Sequence, residues 1–139
     1  MTSRQMVPGT TMDATAPARR MLWAGWGLTG FVGLFLLVDG GARLAGFAPY
    51  VEGLTQFGYA VWLAPWIGLA LLASTILMLI PPTAVLGCIL VTGYLGGATA
   101  IQVRVQDVWF LFPVLLGAMS WLGLYLREPR LRGLLPFRV

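Results

Sequence analysis

The chain has 139 residues and a net charge of +4, yet charged types make up only 10% of it and apolar types 58%. A soluble domain has about a quarter of its residues charged, so this composition belongs to one bilayer-embedded domain. With no histidine and a lone cysteine, Cys88, the chain builds no His-ligated haem, no usual zinc site, no imidazole acid–base catalyst and no intrachain disulfide.

Residues 1–20 are poor in apolar types and read as a flexible cytoplasmic tail ending in Arg19 and Arg20. The apolar run Met21–Val38 is longer than the roughly 7–15 residues of a signal-peptide core, and no small-residue cleavage site follows it closely. It reads as a retained first transmembrane helix, since about 20 residues at 1.5 Å each cross a bilayer core of about 30 Å. Within it Gly25, Thr29 and Gly33 recur at every fourth position. That spacing makes a narrow face on which a second helix can approach closely.

The first helix is expected to stop at Asp39-Gly40-Gly41. Residues 44–58 mix Phe47, Pro49, Tyr50, Glu52 and Gln56 with apolar types and are too broken to span, so they read as an interfacial loop or short half-helix. A second span is expected over residues 59–80, with Pro65 in its first turns and Trp62 and Trp66 at one interface. Pro81-Pro82 ends it and opens a third span over residues 83–103 with almost no loop. Gly93 and Gly97 form a G-x-x-x-G pair there, a packing signal in a membrane context, and Thr92, Gly96 and Ala100 make a second small-residue stripe. Arg104–Asp107 is the turn into a fourth span over residues 108–126, with Trp109 at one interface and Trp121 and Tyr125 at the other. Residues 127–139 form a basic cytoplasmic tail.

The fold class expected is therefore an all-α membrane protein, a four-transmembrane-helix bundle. Arg4, Arg19, Arg20, Arg127, Arg130, Arg132 and Arg138 fall on the side of the two chain ends, against Arg43 and Arg104 on the other. Excess arginine marks the cytoplasmic side, so both termini are expected in the cytoplasm. Arginines that flank apolar spans set topology, and no nucleic-acid partner is expected from them.

Polar residues outside the tails gather at the outer ends of the helices: Asp39, Arg43, Glu52, Gln102, Arg104 and Asp107. Ionisable groups near membrane depth are costly, which makes these the ligand-binding candidates, for an anionic or quinone-like head or for proton relay. The competing reading is a solvated rim, in which Asp39 and Arg43 pair at i, i+4 and Gln102 makes an interhelical hydrogen bond. No phosphate loop, metal motif or serine with a base beside it is present.

Several runs resemble the DoxX-like family of small membrane proteins: Val38-Asp39-Gly40-Gly41-Ala42-Arg43-Leu44, Leu79-Ile80-Pro81, Gly97-Ala98-Thr99-Ala100 leading to Arg104 and Asp107, and Trp121-Leu122-Gly123-Leu124-Tyr125-Leu126-Arg127-Glu128-Pro129. The resemblance extends from about Leu22 to the C-terminus. It implies a prokaryotic inner-membrane protein of four helices, of a kind tied to redox systems handling thiosulfate, thiols or quinone, usually as a subunit. The sequence departs from the family pattern in having Gln102 where many relatives carry histidine, and only Ala70, Leu71 and Leu72 where a charge is frequent. The leading expectation is an accessory or anchoring subunit of a membrane redox complex, with no intrinsic cofactor, a membrane-lipid environment, and other subunits or further copies as partners. The alternatives are a small membrane enzyme or binder of a quinone or other lipid-soluble molecule, and a self-associating scaffold.

Overall fold

A computed structural model of the chain describes residues 15–134. The stretch before Thr15, with Arg4, and the last five residues, with Arg138, lie outside the described residues. Helices account for nearly all of the described part, and no strand occurs in it. They are α1 (Thr15–Leu44), α2 (Ala48–Gln56), α3 (Ala64–Leu79), α4 (Ala84–Arg104), α5 (Leu111–Arg127) and the single turn α6 (Pro129–Arg132). Short 3₁₀ turns, Val61–Leu63, Pro81–Thr83 and Val108–Phe110, lead into α3, α4 and α5. Four segments are long and apolar enough to cross a membrane: Ala16–Leu44, Val61–Leu79, Pro81–Arg104 and Val108–Arg127.

The first helix is longer than the expected window at both ends. It starts inside the expected tail, so Arg19 and Arg20 are helical, and it runs through Asp39-Gly40-Gly41 to Leu44. Two helical glycines cost about 1 kcal/mol each relative to alanine, which is why a stop is expected there. Tertiary contacts override the propensity. Gly40 packs against Gly68 and Leu72 of α3, and an Asp39–Arg43 ion pair spans the glycine pair. At about 1.5 Å per residue the 30-residue helix is about 45 Å long, so it projects beyond a bilayer core.

Three helices end in the same way. The second residue after the helix takes a left-handed conformation, and the next amide N–H reaches back five residues to a helical carbonyl. Phe47 N–H donates to Ala42 O at 2.9 Å after Gly46 (φ +74°), and Tyr59 N–H to Leu54 O at 3.2 Å after Gly58 (φ +87°). Asp107 N–H donates to Gln102 O at 2.9 Å after Gln106 (φ +57°), a non-glycine residue in that region.

The spanning helices form a ring in which α1 packs on α3 and α5, and α4 packs on the same two. The four therefore alternate in direction, and α1 begins at the end of the bundle where α5 stops. We call that the basal end and the other the loop end. The core between them holds Val32, Leu36, Leu71, Met78, Val91, Leu95, Leu116 and Leu124, with Cys88 fully buried among them. Outward-facing positions are apolar as well. Trp23, Leu34, Val108 and Leu111 are among many large exposed side chains, an arrangement that lipid supports and water does not.

Close helix approach occurs at particular glycines. A Cβ on Gly25 would lie 2.8 Å from Gly123 O, one on Gly123 would lie 2.7 Å from Thr29 Oγ1, and one on Gly33 would lie 2.8 Å from Leu79 Cδ2. The Gly25-Thr29-Gly33 face thus lies against α5 and α3. The stripes on α4 are placed differently from the expected packing role. A Cβ on Gly93, Gly96 or Gly97 meets nothing within 4 Å, and Thr92 and Ala100 are exposed. Gly87, which no motif marks, is the α4 glycine in contact, against the Leu77–Met78 backbone. Trp121 also makes an interhelical bond that its expected interfacial role does not require: its Nε1–H donates to Thr92 Oγ1 at 2.7 Å and ties α5 to α4.

Arginines close the basal end. Arg127, only 8% exposed, donates from Nη2 to Met78 O at 2.7 Å in the last turn of α3, and its guanidinium lies 4.5 Å from the Trp26 ring centroid on α1. A cation there complements the negative end of the α3 dipole. Arg132 folds back from α6 to donate to Tyr125 O and Leu126 O, capping α5.

Candidate functional site

The loop end is built differently. A cavity of about 360 Å³ opens there between the end of α1, the α2 segment, the first turn of α3 and the second half of α4. Arg43, Tyr94 and Gln102 are its polar side chains together with Tyr59, and Leu54, Phe57, Ile67 and Ile101 are its larger apolar ones. The volume falls in the range of about 300–1,000 Å³ usual for small-molecule sites, and the mix of apolar wall and few polar groups is also usual.

Each wall follows from local sequence. Along α4, Gly93, Gly97 and Ile101 stand at successive i, i+4 positions, and Tyr94, Ala98 and Gln102 form the adjacent row. Glycine and alanine in three of those six places leave the space that larger residues would fill. On the opposite side, Gly68 lets α1 and α3 nearly touch: its Cβ would fall 2.6 Å from Gly40 O and 2.8 Å from Leu44 N, with Arg43 Cβ at 3.0 Å. This contact fixes the last turn of α1 and with it Arg43. The left-handed turns at Gly46 and Gly58 then fold α2 back, so that Leu54, Phe57 and Tyr59 complete the wall.

Arg43 is held from several directions. Its Nε–H donates to Asp39 Oδ2 at 3.2 Å and its Nη2–H to Asp39 Oδ1 at 3.3 Å, a two-pronged pair with the side chains 20% and 16% exposed. The guanidinium carbon also lies 5.8 Å from the Tyr50 ring centroid on α2. The charge of the pair cancels, which lowers the cost of holding an arginine beside an apolar cavity.

Gln102 is the complementary case. Its Oε1 is buried and has no hydrogen-bond partner among the described residues. The interhelical bond that would account for a glutamine here is therefore not made by that oxygen. Thr99, beside it, donates to Leu95 O of its own helix at 2.8 Å. A buried acceptor without a donor costs about 1–3 kcal/mol, a cost carried here next to the cavity wall.

The six polar candidates thus divide. Arg43 and Gln102 line the cavity and Asp39 orients Arg43. Glu52 is exposed on α2, and Arg104 is exposed at the end of α4. Asp107 accepts from Trp109 N–H at 3.1 Å, which caps the turn into α5. Gly93 and Gly97 belong to the cavity wall, while Gly25, Thr29 and Gly33 are remote from it on the basal and middle parts of α1. Sequence reasoning passed over Tyr94, Phe57 and Tyr59. Tyr94 carries a signal, since it stands eight residues before Gln102 and so shares its face of α4. The two loop aromatics carry none.

A family model described as the DoxX-like family matches residues 27–123. That stretch covers well over half of the chain and includes every residue of the cavity, and the chain belongs to this family. No curated protein and no solved structure matches it.

Proposed function

We propose that this member of the DoxX-like family is a membrane protein that binds a lipid-soluble, polar-headed small molecule of quinone-like size in the loop-end cavity. The observation that carries the reading is a roughly 360 Å³ cavity, within a bundle of four membrane-length helices, lined by Gln102 and a charge-neutralised Arg43 among apolar side chains. Gly93 and Gly97 are exposed, so the cavity opens sideways toward lipid, the phase in which such a ligand would be dissolved. On this reading the ligand or a lipid is taken up without an intrinsic cofactor, and the chain is not catalytic alone.

Family resemblance supports a second, compatible role as accessory or anchoring subunit of a redox complex in a prokaryotic cytoplasmic membrane. The exposed Thr92-Gly96-Ala100 face of α4 favours it, because small residues facing lipid suit close approach by another helix. The same face would serve a homo-oligomeric scaffold.

The test is native mass spectrometry of the full chain, extracted gently from its own membrane, alongside Gly97→Phe. Gly97 lies on the cavity wall and a Cβ there meets nothing within 4 Å, so the position is sterically open to the substitution. An adduct of quinone-like mass on the wild type that is lost from Gly97→Phe supports the binding role. An adduct that the variant retains in full refutes it. A heteromeric mass would add the subunit role, and a bare homomer would leave the scaffold.

A further inference from the structure

The basal end concentrates positive charge, independently of the loop-end cavity. Among the described residues it holds Arg19, Arg20, Arg127, Arg130 and Arg132 against one carboxylate, Glu128, whereas the loop end holds Arg43 and Arg104 against Asp39, Glu52 and Asp107. Arg127 and Arg132 are occupied within the fold, the first on Met78 O and the Trp26 ring, the second on Tyr125 O and Leu126 O. Arg19, Arg20 and Arg130 are exposed. Packing sets their depth. Gly25 of α1 abuts α5, where an added Cβ would fall 2.8 Å from Gly123 O and 3.0 Å from Arg127 N. Arg20 and Arg19 precede Gly25 by about 8–9 Å along the helix, and so stand level with the segment that follows Arg127. That segment is α6. Leu131 is buried in the core cluster and Arg132 reaches back seven residues to Tyr125 O, so α6 folds against the bundle and carries Arg130 with it. Orienting a chain across a membrane needs its arginines on one side; it does not need them fixed at one depth. Trp23, also exposed, follows Arg19 at i+4 and Arg20 at i+3, hence on their face of α1 and one turn nearer the middle of the bilayer. Leu22 and Leu134 add exposed apolar surface at this end.

We infer that the basal end is a binding surface for anionic phospholipid, with Arg19, Arg20 and Arg130 around the head-group phosphate and Trp23 at the junction of head group and acyl chain. Guanidinium groups make charge-assisted hydrogen bonds to phosphate oxygens, and an exposed tryptophan is most stable at head-group level. A soluble anion would engage the arginines alone and leave Trp23, Leu22 and Leu134 in water, so charge and apolar surface together select a lipid. A zwitterionic lipid brings its own ammonium group beside the phosphate, and a cationic surface gains less from it. At the loop end carboxylates outnumber arginines, which confines the preference to one leaflet.

The experiment is native mass spectrometry of the full chain released from nanodiscs of equimolar phosphatidylglycerol and phosphatidylcholine with identical acyl chains, scoring the lipids that stay bound. The wild type is expected to retain phosphatidylglycerol over phosphatidylcholine by about tenfold or more, since each arginine near a membrane surface is worth about fivefold toward anionic lipid. Arg19→Gln, Arg20→Gln and Arg130→Gln should each lower that preference by about two- to fivefold, and the three together should leave it below about twofold. Arg104→Gln, at the loop end, should not change it. Equal retention of the two lipids by the wild type would overturn the inference. So would a preference that survives the triple substitution, which would put the lipid elsewhere on the chain, or one that Arg104→Gln lowers as far as the basal variants do. Displacement of the bound phosphatidylglycerol by millimolar inorganic phosphate would overturn it as well, because the surface would then take soluble anions. The wild-type comparison needs no variant to fold, and circular dichroism melting checks those that are used.

Discussion

Gly68→Ala separates the contact that positions the site from generic helix propensity. In an open helical position, replacing glycine by alanine stabilises by about 0.5–1 kcal/mol. At Gly68 the new methyl group would lie 2.6 Å from Gly40 O, 2.8 Å from Leu44 N and 3.0 Å from Arg43 Cβ. Two of those neighbours are backbone atoms of α1 that cannot rotate away. Restoring ordinary contact of about 3.4 Å requires α1 and α3 to part by about 0.8 Å along their crossing, and overpacking of that kind costs about 1–3 kcal/mol. The net expectation is a loss of about 1–2 kcal/mol after the propensity gain is subtracted. Gly96→Ala is the control, since a Cβ there meets nothing within 4 Å. It should be neutral or stabilise by about 0.5 kcal/mol. The assay is reversible denaturation in mixed micelles, followed by circular dichroism, with uptake of the quinone-sized adduct measured by native mass spectrometry on the same preparations. Gly68→Ala should lower both stability and uptake, because the displaced end of α1 carries Arg43 away from α4. If Gly68→Ala proves as stable as Gly96→Ala and binds as well, the α1–α3 contact does not position the site and the reasoning fails.

Arg127→Gln should destabilise by about 1–3 kcal/mol, since Met78 O loses its donor and the Trp26 ring its cation. A double-mutant cycle with Trp26→Leu should show coupling of about 0.5–1 kcal/mol, and strictly additive losses would refute the clasp. The excess of arginine at the basal end leads us to expect that end in the cytoplasm. A reporter fused after Val139 that works only in the periplasm would reverse the orientation.

The four spans were legible because hydropathy and length are properties of the sequence itself, and a bilayer admits few other structures for such runs. Which face of each helix meets a neighbour was not. In a soluble helix the apolar stripe marks the buried side, but α1, α3 and α4 are apolar all round, so that signal is absent. On α1, Gly25, Thr29 and Gly33 recur at every fourth position and the two glycines meet their neighbours closely, while Gly93 and Gly97 on α4 carry the same four-residue spacing and line open space. The motif says that approach is permitted; the ring order of the helices decides where it happens. The expected stop at Asp39-Gly40-Gly41 failed for a related reason, because Gly40 contributes to packing against Gly68 what it forgoes in propensity.

The polar cluster divides by helix geometry as much as by charge. Gln102 and Arg104 are two residues apart, about 200° around a helix, so they could not both face one cavity. Arg104 goes outward, and the left-handed turn at Gln106 then directs Asp107 toward Trp109. Asp39 and Arg43, four residues apart, remain on one face and stay paired. The two ends of the bundle accordingly treat arginine in opposite ways. At the basal end Arg127 has no ion pair among the described residues, is 8% exposed and lies against Trp26. At the loop end Arg43 has its charge cancelled, and the space beside it is left open. An unpaired arginine in that open position would draw water and lipid phosphate into the bundle. A neutral pair would leave the cavity apolar enough for the lipid-soluble ligand we propose and still offer polar atoms to its head.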